Sequence, residues 1–389
     1  MKKSPSSRRG RASREADLLV ELAEGLAQSG SRAEDHFWEA KLEREIENLL
    51  KQGDEGSLNA ALDRLADRES RAYEELADAI EGRVEHAVTP TSDGDRDVLL
   101  FAAPVLAWSR MPLPTRPIPP AVVKATTQAL ANVVFTPNVD LTLANYFYSP
   151  DQLPETFCDT AEFRQQLTKT IADGVLKVDP AQLKETAQFL ADQRYMIGAV
   201  SVPKGEAIFR WQSGDAPRDQ VMKSWIEESQ KVLAPLLPAC AFEGMLPRAY
   251  YVACRDADRS ARPFSIRASV AFLATTLGVS TNVLTAVVGG CYNRQLEEFR
   301  VGFAVGDEEE VIHGVVWPLL GAEDEMSDVA EEIETTLRES GIQHISMLRQ
   351  RLPMEYCDDC GAPLYPNADG EMVHAELPDV AEQPSQHLH

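Results

Sequence analysis

Three tryptophans in this 389-residue chain are each followed, at an almost constant distance, by a tyrosine. Trp108 precedes Tyr148 by 40 residues, Trp211 precedes Tyr251 by 40, and Trp317 precedes Tyr356 by 39. The tryptophans stand 103 and 106 residues apart. Each closes an apolar, β-rich run (LLFAAPVLAW, EAIFRW, EEVIHGVVW), and each tyrosine lies in another (DLTLANYFY, LPRAYYVAC, HISMLRQRLPMEYC). A helix-like segment separates the two. A fixed period with a fixed order of elements is the mark of an internal repeat, and it constrains the fold more than any local motif does. The expectation is an α/β (or α+β) body over 96–352, built of three similar strand-helix-strand units near 98–180, 195–280 and 282–356. Helices would cover its sheet.

Ahead of this body the pattern changes to a helical period. Residues 15–87 read as a helical module, with three helices over 15–81. Leu18, Leu22 and Leu26 share one face of the first, and Gly30 ends it. Ser31 and Glu34 form a capping box for the second, which carries Trp38, Leu42, Ile46 and Leu49 and closes at Gly53. The third has Ser57 as its N-cap and a seam of Leu58, Leu62, Leu65, Ala72, Leu76 and Ile80. The polar, turn-rich stretch 88–97 predicts a domain boundary. The two ends, 1–14 and 378–389, lack an apolar stripe and are expected to be disordered.

Charge limits the partners. The chain carries a net charge of −24, yet residues 1–14 hold six Lys/Arg and no acid, so the remainder sums to −30. A body this acidic repels phosphate backbones. Nucleic acid is therefore not an expected partner, except through the basic tail, whose plainer role is to stay solvated. No run approaches the ~18 apolar residues of a membrane span, and the N-terminus has no apolar core of a secretory signal. A cytoplasmic setting follows as the default.

Of six cysteines, Cys158, Cys240, Cys254 and Cys291 are scattered and read as small packing residues. Cys357 and Cys360 are paired at metal-ligand spacing, with Gly361 directly behind them. The turn Asn367–Gly370 brings His374 back towards them, which makes 353–377 a zinc-knuckle-like hairpin with Cys357, Cys360 and His374 as metal ligands. Glu371, Glu376, His387, His389 or a partner's residue could complete the site. A metal-free hairpin or a redox dithiol is the competing reading. The redox version is the weaker of the two, because the charge of Asp358 and Asp359 is expected to raise the thiol pKa. No pocket-forming sequence adjoins the knuckle.

A second constellation consists of the acids after each tyrosine. Asp151, Asp256, Asp258 and Asp358 could gather at one edge of a repeated body and bind a divalent cation. Acids that merely end strands are the commoner case. His313, inside an apolar strand, reads as a satisfied core residue. No nucleotide-binding fingerprint, HExxH or Ser-His-Asp arrangement is present.

The segments LAEGLAQSGSRAEDHFWEAKL, APVLAWSR and PMEYCDDCGAPLYPNADGEMVHAELP resemble an uncharacterised bacterial family, a domain of unknown function. The resemblance covers most of the chain and implies a bacterial cytosolic setting. It brings no activity and no site residues. Two functions stay open: a non-enzymatic interaction or regulatory protein with an unknown protein partner and a structural zinc knuckle, and a metal-dependent hydrolase or phosphoryl-transfer enzyme using carboxylates at strand ends.

Overall fold

The computed structural model describes residues 5–66, 71–109, 113, 116–184, 186, 191–238, 240–306 and 310–377. Four helices come first: α1 (Pro5–Ala27), α2 (Arg32–Gln52), α3 (Glu55–Ala66) and α4 (Arg71–Glu85). Apolar residues at helical spacing meet in one core, among them Leu19, Leu42, Ile46, Leu58, Leu76 and Ile80, all fully buried. Ser31 Oγ accepts the Glu34 N–H at 3.3 Å, and Glu34 reaches back to the N–H of Gly30, one residue before the cap. Gly53, in the left-handed conformation, closes α2.

Three expectations for this region need correction. The backbone of Pro5–Arg14 is helical as the first turns of α1, since its four Arg and Ala12 are good helix formers with a packed helix to extend. Residues 1–4 and 378–389 lie outside the described residues. The expected third helix is two, α3 and α4, and Asp54 rather than Ser57 caps α3, its carboxylate accepting the Ser57 N–H at 3.2 Å. Residues 88–97 form no boundary. They belong to a hairpin of β1 (His86–Thr91) and β2 (Gly94–Trp108), paired from His86↔Leu99 to Thr91↔Gly94. The polar stretch is the tip of a turn, and polarity alone does not separate a turn from a linker.

The remaining elements are α5 (Pro120–Val133), β3 (Asp140–Ala144), α6 (Phe157–Lys169), β4 (Val175–Leu176), β5 (Ala191–Pro203), α7 (Arg210–Ser213), α8 (Arg218–Leu233), β6 (Ala241–Gly244), β7 (Arg248–Ala249), α9 (Tyr250–Leu277), β8 (Leu284–Tyr292), β9 (Leu296–Val305), β10 (His313–Pro318), α10 (Val329–Glu339), β11 (His344–Met347), β12 (Leu352–Pro353), β13 (Tyr365–Pro366) and β14 (Met372–Val373). The chain is thus mixed α/β and divides into two compact units, 1–107 with 112–189 and 193–255, and 108–111 with 190–192 and 256–389. The first holds a seven-stranded sheet of order β1-β2-β5-β3-β4, with β6 and β7 pairing β2. Its core includes Phe101, Phe135, Phe147 and Trp225. The second holds a five-stranded sheet, β10-β9-β8-β11 with β12 also on β8, and the separate hairpin β13–β14.

The threefold repeat is not realised. Trp108 ends β2 and Trp317 lies in β10, but Trp211 sits in the four-residue helix α7, partly exposed and stacked on Phe209 at 4.4 Å. LPRAYYVAC is not a strand beyond Ala249, for Tyr250 begins the long helix α9. Tyr250, Ala253 and Ala257 are all buried at helical spacing, and that period outweighs the β propensity of the tyrosines. The first and third segments keep the strand-helix-strand order. In the sheets, however, β5 stands between β2 and β3, whereas β9 and β8 stand between β10 and β11.

Candidate metal centre

The second unit's sheet provides a floor for the segment 353–377. Arg300 on β9 is fully buried and does most of the fastening. Its guanidinium binds Glu298 at 2.7 Å and donates to the carbonyls of Glu355 and of Leu364, the latter at 2.8 Å. Its plane also lies over the Tyr356 ring, 4.9 Å from the centroid. Two glycines let the hairpin approach: a Cβ at Gly314 would overlap the Tyr365 ring, and one at Gly302 the Pro366 carbonyl. The hairpin's turn is tied by Asn367, whose side-chain oxygen accepts the N–H of Asp369 at 3.1 Å and of Glu371 at 2.8 Å. Gln350 donates to the Gly370 carbonyl at 2.9 Å, and the Glu376 N–H donates to Val311 at 2.9 Å.

On this support the chain turns tightly at Cys357–Cys360. Cys357 N–H bonds the Ala362 carbonyl and Gly361 N–H the Cys357 carbonyl, both at 2.8 Å, with Gly361 at φ 70°. That left-handed conformation suits a glycine. One ligand atom each from Cys357, Cys360 and His374 lies within 4.8 Å of the others. Cys360 Sγ and His374 Nε2 are 3.2 Å apart. A tetrahedral zinc site, with Zn–S about 2.3 Å and Zn–N about 2.0–2.1 Å, sets its donors about 3.5–3.8 Å apart. The spacing fits with small adjustment. His374 Nδ1 lies 3.2 Å from the Ala375 carbonyl, which can only accept. The proton therefore sits on Nδ1 and Nε2 keeps its lone pair for a metal, the usual arrangement behind a ligating imidazole.

The direction expected for the charge of Asp359 holds, but it is outweighed at Cys357. Cys357 is held below the ordinary thiol value, because the main-chain N–H groups of Cys360 and Asp359 and the Cys360 thiol all bond its sulfur. The charge of Asp359 opposes this and is the weakest influence. A second correction concerns space. A cavity of about 470 Å³ does adjoin the hairpin, lined by Asn367, Ala368 and Asp369 with Gly302, Gly306 and His344.

The four acids are not brought together as a cation site. Among the described residues, Cys357, Cys360 and His374 are the one group of three or more potential ligands close enough to hold an ion. Asp151 lies in a 3₁₀ turn (Pro150–Gln152), Asp256 and Asp258 on α9, and Asp358 in the knuckle turn. His313 bonds Ser269 at 3.0 Å and packs beside Phe272 and Phe303, where burial pushes its pKa down to about 4. Cys158 is set against Glu55, and burial first, then that carboxylate, pushes its thiol up to about 12. A thiol so held is a poor nucleophile. Arg300 was missed from the sequence. A charged residue between Phe299 and Val301 in an apolar strand was the signal that a buried acceptor must exist.

Fold and site together define a mixed α/β protein with a C-terminal Cys-Cys-His group. The chain belongs to the family described as protein of unknown function (DUF2863), which matches residues 4–388. Neither the curated proteins nor the solved structures provide a match. No helix among the described residues is long and apolar enough to cross a membrane.

Proposed function

We propose that this is a non-enzymatic interaction or regulatory protein whose C-terminal hairpin binds one zinc ion through Cys357, Cys360 and His374. The observation that carries the reading is the convergence of two thiols and an imidazole nitrogen within 4.8 Å of one another. Two soft sulfur donors with one imidazole suit zinc better than magnesium or calcium, which take oxygen ligands. A structural role is preferred over a catalytic one, because Cys360 and His374 are exposed and Cys357 is only half-buried, which leaves the site open to water. The fourth ligand is left to water, a tail residue or a partner protein. The acidic chain makes nucleic acid a poor partner except through the N-terminal basic segment, and a cytoplasmic setting is part of the same proposal.

Elemental analysis of the purified full chain tests it. Stoichiometric zinc that disappears in the Cys357→Ser/Cys360→Ser variant supports the reading. A protein that purifies without metal and takes up neither zinc nor cobalt would refute it.

A further inference from the structure

Cys357 and Cys360 are placed to bond to each other as well as to a metal. Both lie in the turn that the Gly361 N–H closes on the Cys357 carbonyl at 2.8 Å. Residues at this spacing in a tight turn have their Cα atoms less than about 7 Å apart, and a disulfide needs about 4.4–6.8 Å. The two sulfurs lie within 4.8 Å of one another, a gap that side-chain rotation can close to the bonding distance of about 2.05 Å.

Access separates this pair from the other cysteines. Cys360 is exposed and Cys357 half-buried, beside the exposed His374. Cys291 is fully buried and Cys158 lies against Glu55, and burial is the main cause that pushes their thiols up, to about 11 and about 12. Oxidants react with thiolates, so these two are protected. No other two of the six cysteines stand at turn spacing in the chain.

The rest of the hairpin is fastened elsewhere. Arg300 holds the carbonyls of Glu355 and Leu364, and Asn367 ties the far turn through the N–H groups of Asp369 and Glu371. None of these bonds involves Cys357, Cys360 or His374, so a change of bonding at the sulfurs leaves them alone.

We propose that a peroxide oxidises Cys357 and Cys360 to a disulfide, expelling the zinc ion and freeing His374, so that the knuckle is a reversible redox switch; this rests on the zinc reading above. In the zinc form both sulfurs are thiolates, as metal ligation requires. The more exposed Cys360 attacks one peroxide oxygen with a sulfur lone pair. The O–O bond breaks, hydroxide leaves and takes up a proton to become water, and Cys360 is left as a sulfenic acid. The Cys357 thiolate then attacks that sulfur. The S–S bond forms, the S–O bond breaks, and the second hydroxide leaves and is protonated to water. Two electrons pass from the sulfurs to the peroxide and two protons are consumed. Zinc has lost both anionic ligands and keeps only His374 of the three, so it is released. A dithiol reductant returns both thiols and the site with them.

The test treats the zinc-loaded full chain with hydrogen peroxide. A chromophoric chelator reads released zinc against an untreated sample, and mass spectrometry after non-reducing digestion maps the disulfides. The expected result is release of one zinc per chain together with a Cys357–Cys360 disulfide, the other four of the six cysteines remaining thiols. Dithiothreitol with added zinc should reverse both. A Cys158→Ser/Cys240→Ser/Cys254→Ser/Cys291→Ser variant should release zinc as the unsubstituted chain does. Should that variant fold poorly at the buried Cys291 position, the disulfide map of the unsubstituted chain decides. A chain that loads no zinc refutes the metal site itself and the switch with it. A chain that loads zinc and keeps it under peroxide overturns the switch alone. Release with the pair as sulfinic acids, or with either sulfur bonded to another cysteine, overturns it too.

Discussion

Arg300 donates to the Leu364 carbonyl at 2.8 Å while also binding Glu355, nine residues earlier in the chain, so one buried guanidinium holds both arms of the knuckle. Replacing Arg300 with Met leaves both carbonyls without this donor and Glu298 without its cation. The cost should be about 3–5 kcal/mol, as for breaking a buried pair. Lysine should recover only part, because it cannot fork between two acceptors. Urea denaturation checks this, and a loss below about 1 kcal/mol would mean the clamp contributes no more than a surface pair.

The tryptophans rank differently from their order in the apparent repeat. Trp225, 1% exposed, packs among the first unit's core and donates to the Met245 carbonyl at 2.7 Å. Trp225→Ala should cost about 3–5 kcal/mol through the cavity it leaves. Trp211→Ala should cost clearly less, since the ring is partly exposed and stacks on one neighbour. Equal melting temperatures for the two variants would contradict this ranking.

Glu85 gives a pH signature. Burial, aided by the charge of Glu81, raises its pKa from the usual 4.5 to about 7, although the Tyr251 N–H it accepts pulls the other way. The folded state therefore binds a proton more tightly than the unfolded chain. Its contribution is fully present below about pH 4.5 and is lost as pH rises through about 7, on the order of 3 kcal/mol in all. Glu85→Gln keeps an acceptor for Tyr251 and cannot ionise. It should stabilise the protein at pH 8 and lose that advantage by pH 5. A pH-independent difference between the two proteins would exclude Glu85 as the titrating group.

Metal removal should act locally. Chelation of the zinc-loaded chain is expected to raise amide hydrogen exchange at Cys357–Gly361 and around His374, while exchange in the four N-terminal helices stays as it was. Global loss of protection on chelation would show the ion to be part of the main core.

Features set by nearby residues could be read from the sequence. Ser31 with Glu34, the buried stripe of α2, Leu22 and Leu26 of α1 (though its stripe runs through Leu19 while Leu18 is exposed), and the approach of Cys357, Cys360 and His374 all depend on residues within about one turn or one hairpin. Strand order depends on distant ones. Nothing in β5 states that it will lie between β2 and β3, and nothing in β9 states that Arg300 will meet carbonyls 55 and 64 residues later. The matched tryptophans misled because an aromatic after an apolar run is compatible with a strand end or a short helix alike.

Gly302 and Gly314 let the hairpin rest on the sheet through backbone and ring contacts that involve no metal. On the proposed zinc reading, the fold itself would then hold the ligand atoms near one another. Uptake and release of the proposed ion would be exchange events at a finished surface, and occupancy would follow the free ion concentration around the protein without the chain passing through an unfolded state.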